Sequence, residues 1–187
     1  MQVTLFVWLL GGFVNPMIAG KKVLGVFGFC NIRSFEQASI VLEEKVMTFV
    51  NKIATILHTR VDQYCGHNNK NIGESFLVVW KFKESEYFLN SHGDLQLIES
   101  EVTRNFADLS IVSFIKVIGD IYASADLRKY CRKHRLSSDL EEFAVNMGFG
   151  LHFGWAIEGA IGSDFKIDAS YLSPNVNIAA RLETASK

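Results

Sequence analysis

The sequence predicts an α+β fold with a ferredoxin-like core, in which the order of elements is strand, helix, strand, strand, helix, strand. Apolar runs of strand length alternate with long segments of helical periodicity, and glycine-containing turns separate neighbouring strand-like runs. Apolar residues make up 49% of the 187 residues, which is enough for a packed core. The length suits a single domain.

The first strand leads directly into a long helix. Residues 23–30 form an apolar run of strand length. Apolar residues then recur at steps of three and four over residues 42–61, which predicts one amphipathic helix. Ser34 is the predicted N-cap of this helix, and Gln37 lies three residues later, as in a capping box.

The middle of the chain is interpreted as a hairpin followed by a second helix. Residues 75–82 read as a buried strand, and Gly73 indicates a turn from the short extended run before it. Residues 84–108 are expected to form a loop, with a helix beginning after Ser91. Apolar spacing predicts that this helix includes residues 109–122, and the basic run at 128–134 is interpreted as a solvated face.

The last third of the chain predicts two strands and a final helix. Residues 145–157 and 159–167 are apolar and glycine-rich, with the turn expected at Glu158 and Gly159. Pro174 suits the first turn of a helix. The apolar side of that helix is formed by Val176, Ile178, Ala179 and Leu182.

The first 19 residues are assigned to a separate apolar segment. Residues 3–14 are too short to span a bilayer, which needs about 20 apolar residues, and they lack the basic start of a signal peptide. The end of an upstream membrane segment, a buried strand and an imperfect gene prediction all remain open, and a fragment boundary is favoured. Residues 20–187 then form one domain that is expected to be incomplete at its C-terminal end.

Charge and cysteine content exclude some classes of function. The 19 basic and 20 acidic residues balance to a net charge of −1, which argues against a nucleic-acid clamp. Cys30, Cys65 and Cys131 are odd in number and show no metal-binding spacing, so they are interpreted as reduced cysteines of a cytoplasmic protein.

Two segments suggest a site for phosphate and metal. A strand that ends in a short turn and enters a helix presents free N–H groups, which bind phosphate. The hairpin at residues 70–74 would turn beside the end of the first strand, so positions 31 and 74 would face one space. Two carboxylates there would hold a divalent metal against a triphosphate. The residues at these positions are Asn31 and Glu74.

A third segment places Asn177 and Arg181 four residues apart on the predicted last helix, so they share one face. The guanidinium group of arginine matches a phosphate, and an asparagine can orient a ribose through hydrogen bonds. The alternative interpretation is an ordinary polar helix face.

Taken together, three segments resemble the nucleotide-binding segments of the class III adenylyl and guanylyl cyclase catalytic domain. These are FGFCNIRSF at residues 27–35, KNIGESF at 70–76, and LHFGWAIEGAIGSDFKIDASYLSPNVNIAARLE at 151–183. The resemblance extends from about residue 14 to residue 187. It implies a subdomain that pairs head to tail and converts ATP, or less favourably GTP, to a 3′,5′-cyclic nucleotide and pyrophosphate in intracellular signalling.

The resemblance implies a metal site for Mg²⁺ or Mn²⁺ at Asn31, the backbone carbonyl of Ile32, and Glu74. The family has aspartate at the first and third of these positions. Asn31 removes a full charge, and Glu74 is one methylene longer than aspartate. Because Mg²⁺ demands near-ideal octahedral geometry, both changes are expected to weaken the site.

The resemblance also implies residues that recognise the base and support the reaction. Lys70 occupies the base-discriminating position, where lysine suits adenine. The second base-recognition position is left open between Ser170, given by ungapped alignment, and Asp168, given by a small shift. Asn177 would orient the ribose, and Arg181 would stabilise the charge that develops on the α-phosphate.

Three functions remain open at this point. The first is a cyclase subdomain that works in a homodimer or in a heterodimer with another cyclase subdomain. The second is a pseudo-cyclase that binds nucleotide or a cyclase partner and regulates. The third is a ferredoxin-like interaction module with no nucleotide site. The family places a phosphate-binding lysine in a strand later than those of this sequence. Independent activity is therefore not expected of this chain, and membrane attachment is expected only through regions outside it.

Overall fold

A computed structural model of the chain describes residues 17–133, 145–163 and 166–186. The apolar run predicted at residues 3–14, the side chain of Cys131 and the end of the basic run at residue 134 lie outside the described residues. No helix in the described ranges has both the length and the apolar character needed to cross a membrane.

The helices and strands alternate along the chain much as the periodicity predicts. Short 3-10 turns at Glu43–Lys45 and Glu84–Glu86 interrupt them. The elements are β1 (Lys21–Ile32), α1 (Phe35–Leu42), α2 (Val46–Gln63), β2 (His67–Ile72), β3 (Ser75–Lys81), β4 (Tyr87–Leu89), β5 (Leu95–Leu97), α3 (Glu101–Ala123), α4 (Ala125–Lys133), β6 (Met147–Ser163), β7 (Lys166–Leu172) and α5 (Pro174–Ala185).

Five of the strands form one sheet in the order β2-β3-β1-β6-β7, and every neighbouring pair is antiparallel. Strand β3 lies between β1 and β2, so β1 and β2 run parallel to each other in a split βαβ arrangement. This order confirms the predicted α+β fold with its ferredoxin-like core. Strands β4 and β5 form a separate two-stranded hairpin.

The two faces of the sheet bury different sets of residues, because successive side chains of a strand point to opposite sides. Val26 and Cys30 of β1 pack with α2 and α3 in the larger core, whereas Phe27 packs with Ala179 of α5 on the other face. The larger core also includes Phe49, Ile53, Leu57, Val61, Phe76, Val78, Trp80, Phe114, Val117 and Ile121. Helix α5 therefore covers the face opposite to the two core helices.

The prediction of one continuous helix from Ser34 through residue 61 is wrong, although helix α1 does begin directly after Ser34. The chain breaks at Glu43, whose φ is 48°. Ser34 is itself left-handed, with φ 53°, and its side chain makes no capping hydrogen bond, so the predicted capping box with Gln37 is absent. Periodicity hides the break because Leu42 of α1 and Phe49 of α2 face the same core.

The prediction of a turn at Glu158 and Gly159 is also wrong. Strand β6 continues through both residues to Ser163, and they pair with Tyr171 and Ser170 of β7. A charged residue next to glycine suggests a turn, but Glu158 is accommodated within the sheet because Lys81 and Tyr171 hydrogen-bond to its carboxylate.

The region predicted as a loop over residues 84–108 contains the β4–β5 hairpin and the start of α3. The helix begins after Ser91, as expected, and its N-cap is Ser100, whose hydroxyl accepts a hydrogen bond from the Thr103 N–H at 3.1 Å. Gly73 lies in a two-residue turn between β2 and β3 with φ 58°, which confirms the hairpin predicted there.

Candidate functional site

The end of β1 and the β2–β3 turn meet as the sequence predicts. Asn31 pairs with Ser75 across the two strands, and its side-chain amide nitrogen donates to the Ser75 hydroxyl at 2.8 Å. The Ile32 N–H donates to the Glu74 carbonyl at 3.0 Å. Asn31 and Glu74 are both half-buried, and Ile32 is buried.

The donor atoms at this corner suit a hard divalent cation. With its nitrogen bonded to Ser75, the Asn31 amide leaves its oxygen as the end that can ligate a metal. An amide oxygen, a carboxylate and a backbone carbonyl are ligands that Mg²⁺ and Mn²⁺ accept, and Mg²⁺ often takes its remaining ligands from water and substrate phosphates. No group of three or more histidine, cysteine, aspartate or glutamate side chains forms a metal cage within the described ranges. Asn31, Ile32 and Glu74 therefore fit a metal held jointly with a substrate.

The predicted metal residues Asn31, Ile32 and Glu74 together form the metal corner. Arg33 directly follows Ile32 and forms contacts that the sequence analysis did not predict. Its guanidinium nitrogen lies 2.9 Å from a carboxylate oxygen of Glu183. The same nitrogen donates to the Glu183 carbonyl at 2.8 Å and to the Ser186 hydroxyl at 3.0 Å. Glu183 is 4% exposed. A separation of 150 residues explains why local patterns gave no signal for this pair.

The opposite side of the candidate site brings Lys70 and Ser170 together. The Lys70 ammonium donates to the Ser170 hydroxyl at 3.1 Å, and the Asn69 amide nitrogen donates to the Ala169 carbonyl at 3.3 Å. These residues lie on β2 and β7, the two outermost strands of the five-stranded sheet. The sheet therefore curls until its edges come into side-chain contact.

Of the two residues left open for the second base-recognition position, Ser170 is the one that contacts Lys70. Asp168 is closer to Lys166, at 3.5 Å between ammonium and carboxylate, and its side chain is 48% exposed. A register shift between Asn68 and Lys70 marks a β-bulge in β2. Bulges of this kind re-aim side chains next to binding sites.

Asn177 and Arg181 share an exposed face of α5. Both side chains are exposed, and neither forms a side-chain hydrogen bond or ion pair with another described residue. The helix lies close against β6: a Cβ added at Gly150 of that strand would be only 2.2 Å from the Ala179 carbonyl of the helix. A rigidly seated helix thus presents two polar groups away from its own sheet.

A half-buried network connects the strands on the Lys70 and Ser170 side of the sheet. The Lys81 ammonium lies 2.8 Å from the Glu158 carboxylate, and the Tyr171 hydroxyl donates to it at 2.6 Å. Burial and this hydrogen bond raise the pKa of Tyr171. Burial acts to raise the pKa of Glu158, but the hydrogen bonds from Lys81 and Tyr171 outweigh it and hold that pKa below its usual value. The carboxylate stays ionised and joins β3, β6 and β7.

The start of α1 bears on the predicted phosphate site. The Ser34 side chain forms no hydrogen bond to the first-turn N–H groups of α1. The Ser34 carbonyl accepts a hydrogen bond from the Ala38 N–H at 3.0 Å. Glu36 lies in the same first turn, where its negative charge would oppose an anion. Phosphate binding at this helix stays a prediction.

Comparison with known proteins gives one family. The family model described as the adenylate and guanylate cyclase catalytic domain matches residues 22–187. No curated protein sequence matches this chain significantly.

Solved structures give the same fold. The adenylyl cyclase CyaB from P. aeruginosa superposes with a TM-score of 0.68 at 19% identity, covering 91% of this chain and 76% of that chain. A bacterial light-regulated adenylyl cyclase gives 0.62 at 24% identity, covering 88% and 71%. The guanylate cyclase domain of RhGC from Catenaria anguillulae in complex with GTP gives 0.65 at 18% identity, covering 89% and 77%. The neighbours thus include enzymes named for either nucleotide.

Proposed function

Because this chain belongs to the family of adenylate and guanylate cyclase catalytic domains, we propose that it contributes half of a composite site that converts ATP to a 3′,5′-cyclic nucleotide and pyrophosphate. The observation that carries the proposal is the 3.1 Å contact between Lys70 and Ser170 across the curled sheet. It places a cationic donor beside a hydroxyl that can donate or accept, and such a pair can hydrogen-bond to the edge of a purine.

The proposed preference for ATP follows from the hydrogen-bonding groups of the two bases. Adenine presents an acceptor at N1 for the Lys70 ammonium and a donor at N6 for the Ser170 oxygen. Guanine carries a proton on N1, so Lys70 would lose its acceptor there. Lys70 is half-buried, and a hydrogen bond to a charged group contributes about 1.5–3 kcal/mol, so loss of the N1 contact would favour ATP over GTP.

Asn177 and Arg181 would act on the sugar and the phosphate. Asn177 would hold the ribose so that its 3′ oxygen lies in line with the bond to the leaving pyrophosphate. Arg181 would stabilise the negative charge that develops on the α-phosphate as the 3′ O–P bond forms and the bond to pyrophosphate breaks. A divalent cation held by Asn31, Ile32 and Glu74 would supply Lewis-acid stabilisation of the phosphate oxygens.

We propose that the site is completed by a second cyclase subdomain. Domains of this family act as dimers. Asn177 and Arg181 project away from their own sheet. The β6–β7 hairpin, which precedes α5 in the sequence, also exposes apolar side chains. Phe153, Ile161 and Leu172 are 46%, 45% and 57% exposed. Exposed apolar side chains on this hairpin would suit a contact with a second subdomain.

A binding measurement with Lys70→Ala tests the base-recognition half of the proposal. Removing the charged donor is expected to weaken ATP binding by about tenfold or more, because a hydrogen bond to a charged group contributes about 1.5–3 kcal/mol. Isothermal titration calorimetry with ATP and with GTP, both without metal, measures the two affinities. We expect the variant to lose the preference for ATP as well as affinity.

Lys45→Ala is the matched control, because Lys45 is an exposed lysine in the turn between α1 and α2. It should bind ATP like the wild type. Equal losses in both variants would mean that ATP responds only to net charge, and unchanged ATP binding in Lys70→Ala would rule out the proposed base site.

The alternative function, a pseudo-cyclase that binds nucleotide without turnover, is favoured by the neutral side chain of Asn31. The double change Asn31→Asp and Glu74→Asp separates the two functions. Restoring two short carboxylates is expected to raise Mn²⁺-dependent cyclase activity by at least about 10- to 100-fold, because changing even a residue that only orients a metal ligand has an effect of that size. Activity is measured with the chain alone and mixed with a cyclase subdomain that carries both aspartates.

A separate variant, Asp168→Asn, is the control for the double change, because it alters an exposed carboxylate outside the metal corner. It should leave metal dependence unchanged. If the restored variant binds ATP but produces no cyclic nucleotide in any mixture, the chain is a pseudo-cyclase.

We place the domain on the cytoplasmic side, where nucleoside triphosphates are available and thiols stay reduced. Cys30, which is buried, and Cys65, which is exposed, are both free thiols.

A further inference from the structure

Arg33 lies between two elements of the candidate site. It directly follows Asn31 and Ile32, and its guanidinium group reaches the C-terminal end of α5, the helix that carries Asn177 and Arg181. The main chain of the same residue is held separately, because the Arg33 N–H donates to the Asn146 carbonyl at 2.8 Å. Arg33 is thus anchored at both ends.

The contact between Arg33 and Glu183 is built into the packing. Their side chains are 19% and 6% exposed. A Cβ added at Gly148 would lie 2.0 Å from the Glu183 carboxylate and 2.1 Å from the Arg33 guanidinium, so a larger residue there would displace the pair. The cation also lies at the carbonyl end of a helix, where positive charge is favourable.

Three contacts converge on one guanidinium nitrogen: the Glu183 carboxylate, the Glu183 carbonyl and the Ser186 hydroxyl. Ser186 in turn donates to the Glu183 carbonyl at 2.7 Å. Lysine would place a strongly hydrated ammonium on a flexible stem, without the planar guanidinium that fixes the direction of this nitrogen. The arrangement therefore specifies a position and an orientation as well as a charge.

We propose that Arg33 is a positioning residue that holds the metal corner at one fixed distance from the catalytic helix α5. The proposal rests on the proposed function of those two elements. When two such subdomains pair head to tail, the metal corner and α5 of one chain serve different composite sites. Arg33 and Glu183 would then pass a displacement at one site to the other.

Amide hydrogen exchange tests the structural part without any nucleotide. Two variants are compared. One is Arg33→Lys, and the other combines Arg33→Met with Glu183→Gln so that neither charge of the pair remains. The double change is needed because Arg33→Met alone would leave a buried carboxylate unpaired and could misfold. Exchange in residues 29–36 and in residues 180–186 is expected to accelerate by about tenfold in both variants, the equivalent of one lost charged hydrogen bond.

Lys81→Met is the matched control. It breaks a different cation–carboxylate pair, the half-buried Lys81–Glu158 pair near the other end of β1. It should leave exchange in residues 29–36 and 180–186 unchanged.

Nucleotide titration tests the functional part. In Arg33→Lys, the gain in ATP affinity that Mn²⁺ produces is expected to fall by about 10- to 100-fold, as for other residues that support metal ligands. ATP binding without metal depends on Lys70 and Ser170 and should stay within about twofold of wild type. A residue that only stabilised the fold would change both quantities together.

The possible outcomes separate the two proposals. Unchanged exchange in either segment overturns the positioning role, and so does faster exchange with an unaltered Mn²⁺ effect. If wild-type chain binds no ATP at all, the proposed function fails, and the exchange comparison alone decides whether Arg33 couples the metal corner to α5.

Discussion

Arg181→Ala is expected to lower cyclase turnover by about 10²–10³-fold, the usual effect of removing one group that stabilises charge in a transition state. Arg181 is exposed and unpaired among the described side chains, so the change costs the fold little. ATP affinity should stay near that of the parent, because the proposed interaction forms mainly as charge develops during the reaction. The assay uses the Asn31→Asp, Glu74→Asp background mixed with a complete cyclase subdomain.

Arg104→Ala serves as the control for this experiment. Arg104 is an exposed arginine in the first turns of α3, away from α5 and the metal corner. Its removal should leave turnover unchanged. A turnover of Arg181→Ala close to that of Arg104→Ala would exclude the proposed role of Arg181, whatever the ATP affinity.

Trp80→Ala is expected to destabilise the domain by about 3–5 kcal/mol. Trp80 is fully buried, and its indole nitrogen donates to the Tyr64 carbonyl at 2.9 Å. Its ring meets Phe114 of α3 edge-on, with centroids 5.7 Å apart. Because small domains are stable by only about 5–15 kcal/mol, the melting temperature should fall by about 10 °C or more.

Two variants show which property of Trp80 matters. Trp80→Phe keeps an aromatic ring but loses the hydrogen bond to Tyr64, so it should cost about 1–3 kcal/mol. Trp155→Ala removes a half-buried tryptophan that contacts the Lys22 ammonium at 4.9 Å, and it should cost about 1 kcal/mol. A loss in Trp155→Ala equal to that in Trp80→Ala would contradict the assignment of Trp80 to the main core.

Periodicity predicted the elements whose burial repeats regularly along the chain. Strand β1 appears as a continuous apolar run because both of its faces meet a core, and α2 and α5 appear because each has one apolar side. It could not reveal the break at Glu43, because residues on both sides of the break face the same core. It also could not show that Glu158 lies within a strand, because the partners that satisfy its charge, Lys81 and Tyr171, come from other strands.

The candidate site also contains some residues that local spacing relates and others that only the fold brings together. Asn177 and Arg181 could be placed on one face from spacing alone, because a helix repeats about every four residues. Asn31 and Glu74 could be placed together because the predicted hairpin would turn beside the end of the first strand. Lys70 and Ser170 are 100 residues apart, and Arg33 and Glu183 are 150 apart, so no local pattern relates them.

By itself, the sequence determined the family, the order of the elements and the substitutions at the metal corner. The tertiary structure alone decided that Ser170 and not Asp168 contacts Lys70, and that Arg33 reaches across to α5. The reason is physical. Curvature of a sheet and the seating of a helix on it result from many weak contacts between distant residues, and these sum to a definite geometry only when the whole domain is packed.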